Sequence, residues 1–105
     1  MNNYEFITLE GIEGVGKSTA IGVLSQVLQD KGRDVVITRE PGGTAIGEKV
    51  RDILLSTQNG EMSALSELFL LLAARAQHLA EVVSPALIAG KCVICDRFFD
   101  ATFAY

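Results

Sequence analysis

The feature that most limits how this chain can fold is a stretch near its start, "FITLEGIEGVGKSTA", Phe6 to Ala20. Apolar residues run into glycines, and the glycines run into a lysine followed by two hydroxyls. Gly11-Ile12-Glu13-Gly14-Val15-Gly16-Lys17-Ser18 fits G-x-x-x-x-G-K-[ST] without a mismatch. The β-prone run Phe6–Leu9 precedes it, and Ala20, Val23, Leu24, Val27 and Leu28 follow at helical spacing, with Gly32 as a C-terminal stop. Strand, glycine loop and helix in that order suit a polyphosphate. Successive N–H groups must turn inward around phosphate oxygens, and glycine permits both the dihedrals and the close approach. The helix N-terminus adds partial positive charge. Lys17 is suited to the β- and γ-phosphates, and the Ser18 hydroxyl to Mg²⁺. ATP or GTP binding is the expectation.

The remainder alternates in kind. "DVVIT", Asp34 to Thr38, is an apolar strand, and "EPGGT" after it is a turn, because Pro41 cannot continue a central strand. Ile46, Val50, Ile53 and Leu54 predict a second helix, and "STQNGEMS" a loop. Ser63 is placed to cap a third helix that runs through at least Val82 and is interrupted or bent at Pro85. "CVICD" is a third strand, and "DATFAY" opens another helix. Continuously apolar strands separated by helices indicate an α/β fold, a parallel sheet covered on both faces. At 105 residues this is one small domain, with no repeat or linker to divide it.

A net charge of −4 argues against a nucleic-acid partner, which usually needs a basic face. The longest dense apolar run, Leu68 to Ala74, is far too short for a bilayer, so no membrane is expected. "MNNYEF" lacks a basic n-region and does not read as a signal peptide, which makes the cytoplasm the expected location. Cys92 and Cys95 form a C-x-x-C, but residues three apart on a strand point to opposite faces and should not meet. With no second cysteine pair, buried packing is expected rather than redox or metal chemistry. His78 falls in a helical pattern and is expected to be a surface or groove residue. Asp96 ends the third strand at the sheet edge where α/β ligands bind, beside the phosphate loop if the strands are neighbours. There it either acts near Mg²⁺ or makes a simple ion pair. Arg39, Arg51, Arg75 and Arg97 come from separate segments, and together their planar donors match a second anion. Glu13, inside the loop, must point away from the triphosphate.

"FITLEGIEGVGKST", "TREPGGT", "LAAR" and "DRFFDATFAY", in that order and spacing, resemble the thymidylate kinase family. Gly14, where other forms have an arginine, resembles the bacterial type, whose catalytic arginines sit on a later lid. The resemblance implies a P-loop NTPase-like fold and transfer of the ATP γ-phosphoryl group to dTMP, giving dTDP, with Mg²⁺. It implies that Gly11, Ile12, Glu13, Gly14, Val15, Gly16, Lys17, Ser18 and Thr19 hold ATP. Glu13 would also face the sugar 3′-hydroxyl. Arg51 and Arg97 would hold the dTMP phosphate with Arg39 close by, and Asp96 would stand near the metal, with Ser18 as its other neighbour. Arg75 would reach the thymine edge, Thr102 its ring nitrogen, and Tyr105 would crowd the sugar. Lys17, Arg97 and Asp96 would be the catalytic residues. A homodimer is also implied.

The sequence departs from the family twice. Where members carry an aromatic ring four residues before the helix arginine, this chain has Leu71, with Phe69 two residues earlier. Leu71 either touches the base or is ordinary core. The chain also ends at Tyr105, so residues 1–105 correspond to the N-terminal portion of a single kinase domain, with three of the family's five strands and no lid. Alone, such a piece is expected to expose the edge of its first strand, to be poorly stable or associated, and to turn over negligibly. A kinase for another small acceptor and a non-catalytic nucleotide-binding piece are the alternatives. Leu65, Leu68, Phe69 and Leu72 suit a subunit interface and core burial equally. Whether Glu40–Pro41 is cis is left open by the sequence.

Overall fold

The computed structural model describes residues 5–10, 15–56 and 60–97. Strands β1 (Glu5–Glu10), β2 (Val35–Glu40) and β3 (Cys92–Arg97) form one parallel sheet in the order β1-β3-β2. Helices α1 (Val15–Asp30), α2 (Ala45–Leu55), α3 (Ala64–His78) and α4 (Ser84–Ile88) make the connections. The expected α/β architecture is therefore present, and β3 lies between the other two strands. The predicted helix at "DATFAY" and part of the predicted loop after α2 fall outside the described residues.

Burial follows from that position. Cys92, Val93, Ile94 and Cys95 have no exposed surface, as expected for a strand flanked on both edges and both faces. Their side chains alternate. Cys92 and Ile94 pack with Leu28 against Ile7, Leu9, Ile21, Leu24 and Val35, under α1. Val93 packs on the opposite side with Val83 and Ala86, against Val36 and Leu87. The two cysteines are free and lie on opposite faces, as their spacing predicts. Among the described residues β1 has a strand neighbour on one side only, and Phe6 on it is 41% exposed.

Helix ends are set by local chemistry. Gly32, at φ +80°, ends α1 with its N–H on the Gln29 carbonyl, while Arg33 N–H reaches back to Leu28. Ser63 caps α3 by accepting from Ser66 N–H, as predicted. Past His78 the regular helix gives way to a π-helical turn, Leu79–Val83, before α4. This differs from a regular helix through Val82, and Pro85 supplies the reason. It has no N–H for the Glu81 carbonyl and its ring crowds that carbonyl, so a wider turn is accommodated just before it. Ser84 N–H accordingly bonds Leu79, five residues back.

The face of α2 also differs from its apolar pattern. Gly47, Val50 and Arg51 are the buried positions, whereas Ile46 and Ile53 are largely exposed. Gly47 explains it. A Cβ there would stand 2.7 Å from the Gly42 carbonyl oxygen, so α2 lies against the turn before it along this face. Arg51, one helical turn further on, is carried inside with it.

Because Ile94 joins β3 to the α1 face, Ile94→Ala is expected to destabilise the chain by about 2–5 kcal/mol. A urea unfolding curve of the purified protein checks this.

Candidate functional site

The C-terminal ends of the strands gather the charged residues. In register, Leu9 and Arg39 flank Asp96, and Glu10 and Glu40 flank Arg97. Neighbouring residues on a strand face opposite ways, so Asp96 and Arg97 address different sides of the sheet.

Asp96 looks toward α1. Lys17 Nζ lies 2.7 Å from its Oδ1, with the Arg97 carbonyl oxygen 3.5 Å away. The condition set on Asp96 holds, because β1 and β3 are neighbours, and the contact it makes among the described residues is an ion pair with Lys17. Ser18 and Thr19 are exposed in the first turns of α1, which carry no acidic residue. An exposed helix start, a lysine, a hydroxyl and a carboxylate at the strand end fit a phosphate chain with a hard cation. Gly11, Ile12, Glu13 and Gly14 lie outside the described residues, as do Thr102 and Tyr105.

Arg97 looks the other way, between two carboxylates of the neighbouring strands. Its Nη1 donates to Glu10 Oε1 at 3.1 Å, and its Nε is 3.7 Å from Glu40 Oε2. Glu40 Oε1 accepts from Arg75 Nε, on α3. The Glu40 side chain is 8% exposed. One residue on, the Pro41 carbonyl accepts from Arg51 Nη1 at 3.2 Å, and Arg51 is buried. Three of the four predicted arginines thus meet at Glu40–Pro41. The fourth, Arg39, points to the Asp96 side and pairs with Glu48. Leu71 is half-buried on α3, while Phe69 is 61% exposed.

The turn that collects them is tightly built. The Glu40–Pro41 peptide bond is cis. Gly43 has φ +78°, and a Cβ on it would stand 2.6 Å from Thr38 Oγ1 and 2.8 Å from His78 Cδ2. Thr44 caps α2 by accepting from Gly47 N–H at 2.8 Å. Glu48 accepts from Gly43 N–H at 2.9 Å and from Arg39, and the Arg39 guanidinium is the main cause holding its carboxyl down at about 2.

His78 corrects an expectation. It is 1% exposed rather than a surface or groove residue. The bare Gly43 leaves room for the imidazole beneath the turn, where Nε2 is 2.7 Å from Thr38 Oγ1. Its Nδ1 is buried with no partner among the described residues. An unpaired lone pair costs less than an unpaired N–H, which favours the tautomer that donates from Nε2. Burial pushes its pKa down, against a smaller opposing pull from Glu40.

Glu40, His78 and Cys95 bring a carboxylate, an imidazole and a thiol within 4.8 Å of one another. The surroundings oppose a cation. Guanidiniums already face both oxygens of Glu40, and burial pushes the Cys95 thiol up to about 12. Neither this cluster nor the role of Glu40 as a junction is visible in the sequence reading. A glutamate in register with an arginine, and within reach of a helix arginine, is the signal that could have found it.

A profile of the thymidylate kinase family matches residues 9–105. The thymidylate kinase of Desulfovibrio desulfuricans is 58% identical over 100 residues, which cover 95% of this chain and 46% of that protein. That of Pseudomonas putida strain W619 is 59% identical over 100 residues, covering 95% and 48%. The crystal structure of thymidylate kinase from Ehrlichia chaffeensis superposes with a TM-score of 0.78 at 43% identity, over 97% of this chain and 57% of that one. The chain spans about half the length of the curated relatives it matches.

The Glu48 pair has a pH signature. Its carboxyl titrates at about 2 when folded against an ordinary 4.5, so its stabilisation is present above 4.5 and lost as pH falls toward 2. The side chain is 39% exposed, and solvent screening limits the effect to about 0.5–1 kcal/mol. Glu48→Gln is expected to lower stability by that amount at pH 7, with the gap to wild type closing between pH 4.5 and 2. Urea midpoints across that range measure it.

Proposed function

The chain belongs to the thymidylate kinase family, and on that footing we propose that it serves the ATP-dependent phosphorylation of dTMP to dTDP. The observation that supports this most is the division at the end of β3. Lys17 and Asp96 stand on one side, and Arg51, Arg75 and Arg97 gather on the other. A phosphoryl transfer needs two anions brought end to end with their charge offset, and two cationic groups separated by one residue of strand suit that need.

In this reading Gly11 to Thr19 cradle the ATP phosphates, with Lys17 at the transferred end. Ser18 and Asp96 would hold Mg²⁺, which would supply charge compensation for the phosphate chain. Lys17, Asp96 and Arg97 do the catalytic work by holding charge in place. Arg51 and Arg97 take the dTMP phosphate, with Arg39 nearby, and Arg75 reads the thymine edge. Leu71 contributes apolar contact to the base, Glu13 faces the 3′-hydroxyl, and Thr102 and Tyr105 bound the base and sugar. Residues 1–105 form the N-terminal portion of one P-loop nucleoside monophosphate kinase domain, acting in the cytoplasm as a homodimer. Leu65 and Phe69, 60% and 61% exposed on α3, support the dimer, because apolar side chains gathered on one helix favour a partner surface. No helix among the described residues is long and apolar enough to cross a membrane.

Titration calorimetry tests the reading. Mg–ATP and dTMP are both expected to bind. Lys17→Ala should weaken Mg–ATP by about tenfold or more, the scale of one lost charge-assisted contact, and leave dTMP unchanged. Arg75→Ala should do the reverse. Binding of Mg–ATP with no binding of dTMP would favour another acceptor, to which the aliphatic Leu71 would point.

A further inference from the structure

We propose that Glu40 is a positioning residue that sets the spacing between base recognition and phosphate recognition in the acceptor site. The inference rests on the reading of Arg75 and Arg97 as ligands of thymine and of its phosphate.

The geometry is that of one carboxylate shared by two guanidiniums. Glu40 is the last residue of β2, in register with Arg97 on β3, and its buried side chain turns to the face where α3 carries Arg75. Arg75 Nε donates to Oε1, whereas Arg97 Nε faces Oε2 across 3.7 Å as an ion pair and has no hydrogen-bond partner among the described residues. Nε is the donor nearest the side-chain stem, so the hydrogen bond to Oε1 fixes the plane in which the two Nη atoms of Arg75 lie, while Oε2 draws Arg97 by charge alone. Glu10 steadies Arg97 from the opposite strand at 3.1 Å. A single carboxylate therefore hydrogen-bonds one guanidinium and attracts a second that arises from a different element.

A purely structural role would not need this arrangement. One buried ion pair contributes little net stability compared with apolar packing, and here one buried anion gathers two cations. The usefulness lies in their relative position. A nucleoside monophosphate has a fixed distance between base edge and phosphate, and a site that reads both ends discriminates only if its two readers keep that distance. Electrostatics alone predicts the opposite outcome on removing Glu40. Deleting a negative charge beside a phosphate site would tighten a phosphate ligand.

The direction of change therefore decides. Wild type, Glu40→Gln and Glu40→Asp are titrated with dTMP, dCMP and Mg–ATP, with thermal melts alongside. Glu40→Gln is expected to weaken dTMP about tenfold, as for a lost charge-assisted contact. The preference for dTMP over dCMP should shrink with it, and Mg–ATP affinity should stay within about twofold. Glu40→Asp, which keeps the charge, should fall between. Unchanged or tighter dTMP binding by a folded Glu40→Gln would overturn the inference alone, as would parallel weakening of dTMP and Mg–ATP. Failure of wild type to bind dTMP would overturn the underlying reading and the inference with it. Should Glu40→Gln fail to fold, NMR of the wild type decides. Slowly exchanging, resolved Nε–H signals from both Arg75 and Arg97 support the clamp, and rapid averaging of either overturns it.

Discussion

The parallel register of β1, β3 and β2 is the constraint from which the rest follows. It aligns Glu10, Arg97 and Glu40 in one row and Leu9, Asp96 and Arg39 in the row before it. Successive strand residues face opposite ways, so a step of one residue along β3 separates a carboxylate paired with Lys17 from a guanidinium paired with Glu40. No loop rearrangement is needed to keep the two sets of charges apart. A slip of one position in β3 would exchange them. The complete burial of Cys92 to Cys95 is what holds that register.

The turn after β2 extends the arrangement. Glu40 holds two arginines, the Pro41 carbonyl takes a third, and Glu48 with Gly43 fixes the start of α2, from which that third arginine comes. The turn is also closed from below by Thr38 and His78, which leave no space for a side chain at Gly43. Gathering cations in this way is unfavourable unless each has an anion or a dipole to face. The described contacts supply one to each of the four arginines.

Much of this was legible in residue types alone. The strand–helix alternation, the parallel sheet and the opposite faces of Cys92 and Cys95 all follow from spacing, which is local. The arginines could be suspected of converging because four planar guanidiniums from separate segments together match a second anion. What local pattern could not supply was which partner gathers them. Glu40 belongs to a string that reads as a turn, and its role appears only when β2 and β3 are set side by side. His78 departs from its helical pattern for the same reason, since periodicity does not reveal that a bare glycine in a distant turn leaves room for an imidazole. Arg51 sits inside because Gly47 brings its helix close, a tertiary effect that outweighs the apolar stripe of Ile46 and Ile53.

In the proposed acceptor site at the ends of the strands, the arginines are held in place before any nucleotide arrives. A crystal structure of the chain with dTMP bound tests it most directly. The nucleotide is expected on the Arg97 side of β3, contacted by Arg51, Arg75 and Arg97, with Glu40 still hydrogen-bonded to Arg75 and facing Arg97. A nucleotide bound elsewhere, or guanidiniums that leave Glu40 to reach it, would contradict it.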